Sequence, residues 1–232
     1  MIDYTLVRTR RKTVAIYVRA GGAVEVRAPL RTPAADIERF VARKSDWITR
    51  MTARQTQKAA GRTAFSPGYG GAILLWGDPV TLACGADAKR TQLSCDTLLL
   101  PPGLDSAGIK RACVAFYKEQ ARAVLPIRTA EYARIMGVTP ANIKVSSART
   151  RWGSCSSKGN INFSWHLAMA RPAAADYIIV HELAHLREPN HAPRFWTIVG
   201  GVLPDYIERR AELRELQKRL SGEDWETHQF MA

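Results

Sequence analysis

Residues 172–191 read PAAADYIIVHELAHLREPNH, and the fold turns on this stretch. Pro172 suits the first turn of a helix. The residues after it are mostly apolar on every side, which predicts a buried helix and not a surface one. His181 and His185 stand four apart on that helix. Four steps of ~100° overshoot a full turn by ~40°, so the two imidazoles share nearly one face. Glu182 lies one residue along, displaced round the helix but near enough to reach water held by the same ion. Buried histidines and a buried glutamate need partners, and a metal ion supplies them. His-Glu-x-x-His is the spacing of zinc hydrolases, in which the glutamate is the general base and not a ligand.

The third ligand has two candidates. His191 follows His185 by six residues, a spacing at which a break in the helix lets a third histidine swing back to the metal. Glu188 stands where a glycine commonly makes that break, and Pro189 can end the helix in its place by biasing Glu188 out of the helical region. The rival is a carboxylate from the charged segment 205–220, namely Glu208, Glu212 or Glu215. Asp205 and Glu208 are also candidates to orient a ligand histidine through its other ring nitrogen.

Upstream, a compact βββα pattern leads into the helix. Ile143-Lys144-Val145 is one short strand, and Ser157-Lys158-Gly159 reads as a hairpin turn between Arg151–Cys155 and Asn160–Ser164. Either hairpin strand could pair with an extended substrate by β-augmentation. Alternatively, Trp152 plugs the core and Gly153 lets two segments approach closely. Residues 105–136 are helical in pattern, and Pro126 makes this two helices or one kinked helix. Short strands are expected at Ala72–Trp76, Pro79–Cys84 and Thr91–Leu100. Residues 53–71 gather Gly, Pro, Ser and Thr and lose periodicity, as a linker does. The opening reads as a β-meander through Leu6, Val14–Val18 and Val24–Val26, with Gly21-Gly22 as a hairpin turn. A helix capped by Thr32 follows, with an apolar stripe from Ile37 to Met51 broken only by Lys44. This reading divides the chain into a β-rich region with one helix over 1–102 and an α+β catalytic domain over 103–232.

Composition excludes disordered, collagen-like and low-complexity chains: 46% of the 232 residues are hydrophobic and 24% charged. No apolar run approaches the roughly 18–20 residues of a membrane span, and the N-terminus lacks the apolar core of a signal peptide. Four cysteines without CxxC pairing form no disulfide framework, so a reducing cytoplasm is expected; Cys155 reads as a packed thiol and His166 as a structural or rim histidine. The net charge of +13 is uneven. Residues 1–60 hold 13 Lys and Arg against 5 Asp and Glu, whereas residues 151–232 hold ten of each. Such a basic front could attract nucleic acid, or it could be a solvated surface.

The chain resembles the YgjP-like family of zinc-dependent metallopeptidases, relatives of the SprT and WLM groups. The resemblance is carried by TRWGSCSSKGNIN at 150–162, DYIIVHELAHL at 176–186, Asn190-His191, Phe195-Trp196 and Pro204-Asp205-Tyr206. Val24–Pro29 and Lys44–Ile48 extend it to the front of the chain. It implies a zincin-like catalytic domain with one Zn²⁺ held by His181, His185 and His191, and Glu182 as base. Departures are His166 in place of a usual Arg, Phe163-Ser164 in place of Leu-Asn, and Ala192 in place of Ser.

The expected function is a zinc hydrolase cleaving peptide bonds in a peptide or protein substrate. Arg151, Trp152, Gly153 and Tyr206 are the candidate substrate-binding residues, with Tyr206 or Arg151 as a second oxyanion donor. Two alternatives are a nucleic-acid-associated protein with a tethered protease, as resemblance to the SprT group suggests, and a metal site that only staples the fold.

Overall fold

The computed structural model describes residues 2–60 and 65–225, so His228 lies outside the described residues. The chain divides between Ala64 and Phe65, within the segment expected to be a linker.

The first unit contains β1 (Thr5–Thr9), β2 (Ala15–Val18), β3 (Val24–Pro29), α1 (Ala34–Arg43) and α2 (Ser45–Ala60). The strand order is β1-β3-β2, with β1 parallel to β3 and β2 antiparallel to it. The expected meander is therefore corrected. β3 takes the centre because Val26 and Ala28 are fully buried, and Leu6 and Ile16 flank Val26 in register from either side. The Gly21-Gly22 hairpin between β2 and β3 stands, both glycines having positive φ. The single expected helix is two. The polar Lys44 interrupts the stripe with φ −107° and ψ 9°, and Ile37 and Val41 before it and Ile48 after it fill one core with β3. α2 then continues to Ala60, through half of the expected linker, because Ala, Arg, Gln and Lys favour helix even without an apolar face.

The second unit begins with a sheet of β4 (Ala72–Leu75), β5 (Asp78–Cys84), β6 (Gln92–Ser94) and β7 (Thr97–Leu100), ordered β4-β5-β7-β6. The expected strand at 91–100 is thus a hairpin that turns at Cys95, where φ is 53°. Alternate residues Ile73, Leu75, Val80, Leu82, Leu98 and Leu100 bury one face in the same core as the helices that follow. For that reason residues 72–100 belong with the C-terminal part of the chain, and not with residues 1–60 as the 1–102 grouping has it.

Next comes α3 (Ser106–Met136), capped by the Asp105 carboxylate on Gly108 N–H and ended by Gly137 at φ 61°. It is one helix through Pro126. Cys113, Tyr117, Ala121, Leu125, Thr129 and Ala133 form an unbroken buried row at every fourth residue, and this packing offsets the lost hydrogen bond.

β8 (Asn142–Ser146), β9 (Gly153–Cys155) and β10 (Asn160–Ser164) form a sheet ordered β8-β10-β9. α4 (Pro172–Ala184), α5 (Pro193–Val202) and α6 (Tyr206–Leu220) complete the unit. α4 is the buried helix its composition demands: every residue from Ala174 to Val180 is buried. Among them Asp176 is 4% exposed and is held by both Nε (2.6 Å) and Nη2 (2.5 Å) of Arg128 and by the Tyr132 hydroxyl (3.0 Å). This clamp locks α4 to α3. Among the described residues, no helix is long and apolar enough to cross a membrane.

Candidate metal centre

α4 delivers His181 and Glu182 from its last turn. His185 occupies the C-cap with φ −63° and ψ −18°, so helical spacing persists just long enough to keep the two imidazoles together. The chain then turns through Leu186 and Arg187, and Glu188 N–H still bonds to Ala184 C=O at 2.9 Å. Pro189 and Asn190 leave the helix and bring His191 back. The candidate ligand atoms of His181, His185 and His191 lie within 4.8 Å of one another, and the Nε2 atoms of His181 and His191 are 3.0 Å apart. Two nitrogens bound at ~2.05 Å to one tetrahedral ion are separated by about 3.3 Å, so the spacing fits a shared metal.

The other ring nitrogens fit as well. His185 Nδ1 lies 3.2 Å from Glu188 C=O, which fixes Nδ1–H and leaves Nε2 as donor. The Tyr177 hydroxyl lies 3.5 Å from His181 Nδ1. Asp205 instead pairs with Arg209 at 2.9 Å, and Glu208 is exposed on the first turn of α6; neither takes the expected orienting place. Of the three rival carboxylates two are engaged elsewhere, Glu212 with both nitrogens of the Arg171 fork and Glu215 with Lys218. His181 and His185 are held in the neutral form that binds a metal. Burial pushes His181 down to about 3, helped by His185, His191 and Arg210, and burial also lowers His185.

Glu182 is 5% exposed beside these rings. Burial pushes its carboxyl up to about 7, against a partial pull downward from the Arg151 charge and the Cys155 N–H bonded to it. β9 lies directly on it: a Cβ at Gly153 would come within 2.6 Å of Glu182 Oε1. The residue at 153 must therefore be glycine, as the close-approach reading of this hairpin expects. β10 is paired on both sides and β9 on one, so of the two candidate strands β9 has the open edge.

A cleft of about 880 Å³ runs along that edge, lined by Arg151, Gly153–Gly159, His181, Glu182, His185 and His191 among others. Arg151 and Gly153 thus stand in the cleft, whereas Trp152 and Tyr206 do not line it. Trp152 is half-buried against the core. The Tyr206 ring stacks on Trp196 at 5.5 Å and on Tyr177 at 6.4 Å. Cys155 lines the cleft as a half-buried thiol, raised in pKa by burial. His166 is buried, stacked on Trp165 at 3.8 Å with Nδ1 2.9 Å from Ser164 Oγ.

Two aromatic residues that the sequence offers only as carriers of the family resemblance turn out to pack on the histidines. Phe195, fully buried on α5, lies 4.6–4.8 Å from the centroids of all three imidazoles and is their common floor. Trp196 stacks on the exposed His191 at 5.8 Å and carries the Arg210 guanidinium over its ring at 5.4 Å. The signal for this role in sequence is their place, one turn past His191 at the start of a helix opened by Pro193.

The model of the YgjP-like family, metallopeptidase domain, matches residues 12–216. Among solved structures, the metallopeptidase zymogen of Pyrococcus abyssi abylysin is similar at 20% identity and a TM-score of 0.37, covering 42% of this chain and 95% of that one. No curated protein matches. A match over so much of the chain makes this α+β protein a member of the YgjP-like metallopeptidase family, and hence, at the level of the family, a metal-dependent peptidase acting on peptide or protein.

Proposed function

We propose that the chain is a zinc-dependent peptidase with a zincin-like catalytic domain, in which His181, His185 and His191 hold one ion and Glu182 is the general base. The observation that carries this reading is the convergence of three imidazoles beside one buried carboxylate. An all-imidazole set suits zinc and related transition metals, and not the hard cations calcium and magnesium. A zinc ion there supplies Lewis acidity, which polarises a carbonyl and lowers the pKa of water from about 15.7 to about 7.

The chain's own residues do the rest. Glu182, buried beside the three rings, is placed to take a proton from water on its carboxylate and to return it to the leaving amine. Cys155 N–H fixes the orientation of that carboxylate, and Gly153 leaves it room. The open edge of β9 can hold an extended peptide by backbone hydrogen bonds, so that the scissile carbonyl passes Glu182. Of the two oxyanion-donor candidates, Arg151 lines the cleft and Tyr206 does not.

Glu182→Gln tests the reading. The variant should retain one zinc per chain and lose hydrolysis of a peptide library that the wild type cleaves. Substantial turnover by the variant overturns the role of Glu182, and loss of zinc on His191→Ala without any replacement ligand is the expected companion result.

A further inference from the structure

The cleft has a one-sided charge. Its lining carries Arg151 and Lys158 but no acidic residue except Glu182, which is buried and bonded to Cys155 N–H. A second hollow of about 540 Å³ shares Arg151, Ser154, Cys155 and Ser156 with it, adds Lys144, and contains no acid at all. Some arginines of this unit find carboxylates, as Arg128 does with Asp176, Arg171 with Glu212, Arg209 with Asp205 and Arg219 with Glu223, while others such as Arg194 and Arg214 form no ion pair with a described residue. Arg151, Lys158 and Lys144 form no ion pair with any described residue. Cations left unpaired along a cleft attract anionic groups and repel cationic ones.

Their placement is also specific. Arg151 precedes β9, and Lys158 sits in the turn that follows it, so the two cations bracket the open edge. Lys158 follows Arg151 by seven residues of chain, of which Gly153–Cys155 are extended and Ser157-Lys158 turn. Gly153 marks the point opposite Glu182. Arg151 therefore lies two residues in sequence before the point where a reacting carbonyl must pass.

We infer that this cleft selects peptides carrying a carboxylate within two residues of the scissile bond, held by Arg151, with Lys158 taking a second carboxylate at the other end of β9. The inference rests on the peptidase reading and names its substrate class. The carboxylate has two sources, an Asp or Glu side chain or the free C-terminus of a short peptide. An arginine fork suits either one, because it meets a carboxylate with two parallel hydrogen bonds.

The test uses the full chain as zinc-loaded Glu182→Gln, so that binding is read without turnover and without an effect of Arg151 on the Glu182 carboxylate. Fluorescent hexapeptides with blocked ends carry Asp, Asn or Lys at each position in turn, and a second set has a free C-terminus. By anisotropy, the best Asp peptide or the best free-terminus peptide should bind at least tenfold tighter than its Asn or amidated counterpart, and Lys peptides more weakly still. The preference should collapse with Arg151→Glu and invert in Arg151→Glu/Lys158→Glu. Arg151→Gln/Lys158→Gln should abolish it without inversion. All these variants are expected to melt like their parent, since both side chains are exposed. Equal affinity for Asp, Asn and Lys peptides, or a preference that survives in the double variant, overturns the inference. Wild-type cleavage of the same peptides is measured in parallel. Acid-selective binding with no cleavage of any peptide keeps the recognition and overturns the peptidase reading instead.

Discussion

Gly153 and Glu182 are packed backbone against carboxylate, with room for nothing larger than a hydrogen: an added methyl would sit 2.6 Å from Oε1, 2.8 Å from Cγ and 2.9 Å from Cδ of the glutamate. Gly153→Ala should therefore displace Glu182 or β9. The expected cost is about 1–3 kcal/mol by urea denaturation, with a fall in kcat well beyond what that loss of stability explains. Gly201→Ala, in α5 with no atom near its added methyl, is the control and should be neutral or stabilising by up to about 1 kcal/mol.

Phe195 touches all three imidazoles, so its removal should reach the metal before it reaches the fold. Phe195→Leu keeps an apolar floor and should weaken zinc affinity about 10–100-fold in a chelator competition, the scale on which supporting residues act. Phe195→Ala should in addition cost about 3–5 kcal/mol of stability. Unchanged zinc affinity in both variants would mean that the rings hold their places without this floor.

The Arg128–Asp176 clamp gives a prediction away from the cleft. Arg128→Met strands a buried carboxylate between two helices and should destabilise the protein by about 3 kcal/mol. Tyr132→Phe removes one hydrogen bond to a charged group and should cost about 1.5 kcal/mol. Denaturation midpoints at pH 7 check both.

In chelator, pH acts on two buried groups in opposite senses. The folded His181 is held down to about 3, so between there and 6.5 only the unfolded chain takes up the proton; the contribution of the neutral ring is full above 6.5 and is lost as pH falls toward 3. The folded Glu182 is pushed up to about 7, so between 4.5 and 7 only the unfolded chain has lost its proton; stability is full below 4.5 and is lost as pH rises through 7. Metal-free Glu182→Gln should accordingly exceed wild type by up to about 3 kcal/mol at pH 8, from 1.36 kcal/mol per unit, and match it at pH 4.5. Urea titrations at the two pH values decide this; equal stability at pH 8 contradicts the burial of the carboxylate.

The helix that carries the site was legible because His181, Glu182 and His185 sit in a run of Ile, Val, Leu and Ala that has nowhere to go but inside. His191 was legible as a candidate from its spacing and from Pro189. Gly153 was legible as a possible close approach, but its neighbour was not, since Glu182 lies 29 residues away. Phe195 was marked in sequence by the family resemblance without a role, and only packing shows that it faces three histidines. The same holds for Arg128 and Asp176, whose pairing across 48 residues leaves no local trace. In the first unit, alternation located the strands but not their neighbours: β1 passes over β2 to lie beside β3. For residues 72–100, period-two patterning identified the strands, while the choice of core depended on which buried face they met. The continuation of α2 was missed because loss of an apolar stripe is not loss of helix.

Two of the three convergent imidazoles ride on α4 and its cap, and the third on the short segment that leads into α5. An ion shared among them would fasten these segments together across only ten residues of chain, so little loop entropy opposes the closure. Loading and docking then become one cooperative event: a nascent polypeptide would retain its ion firmly only after Phe195 had emerged and seated itself, and late detachment of α5 would be the natural route by which the ion escapes.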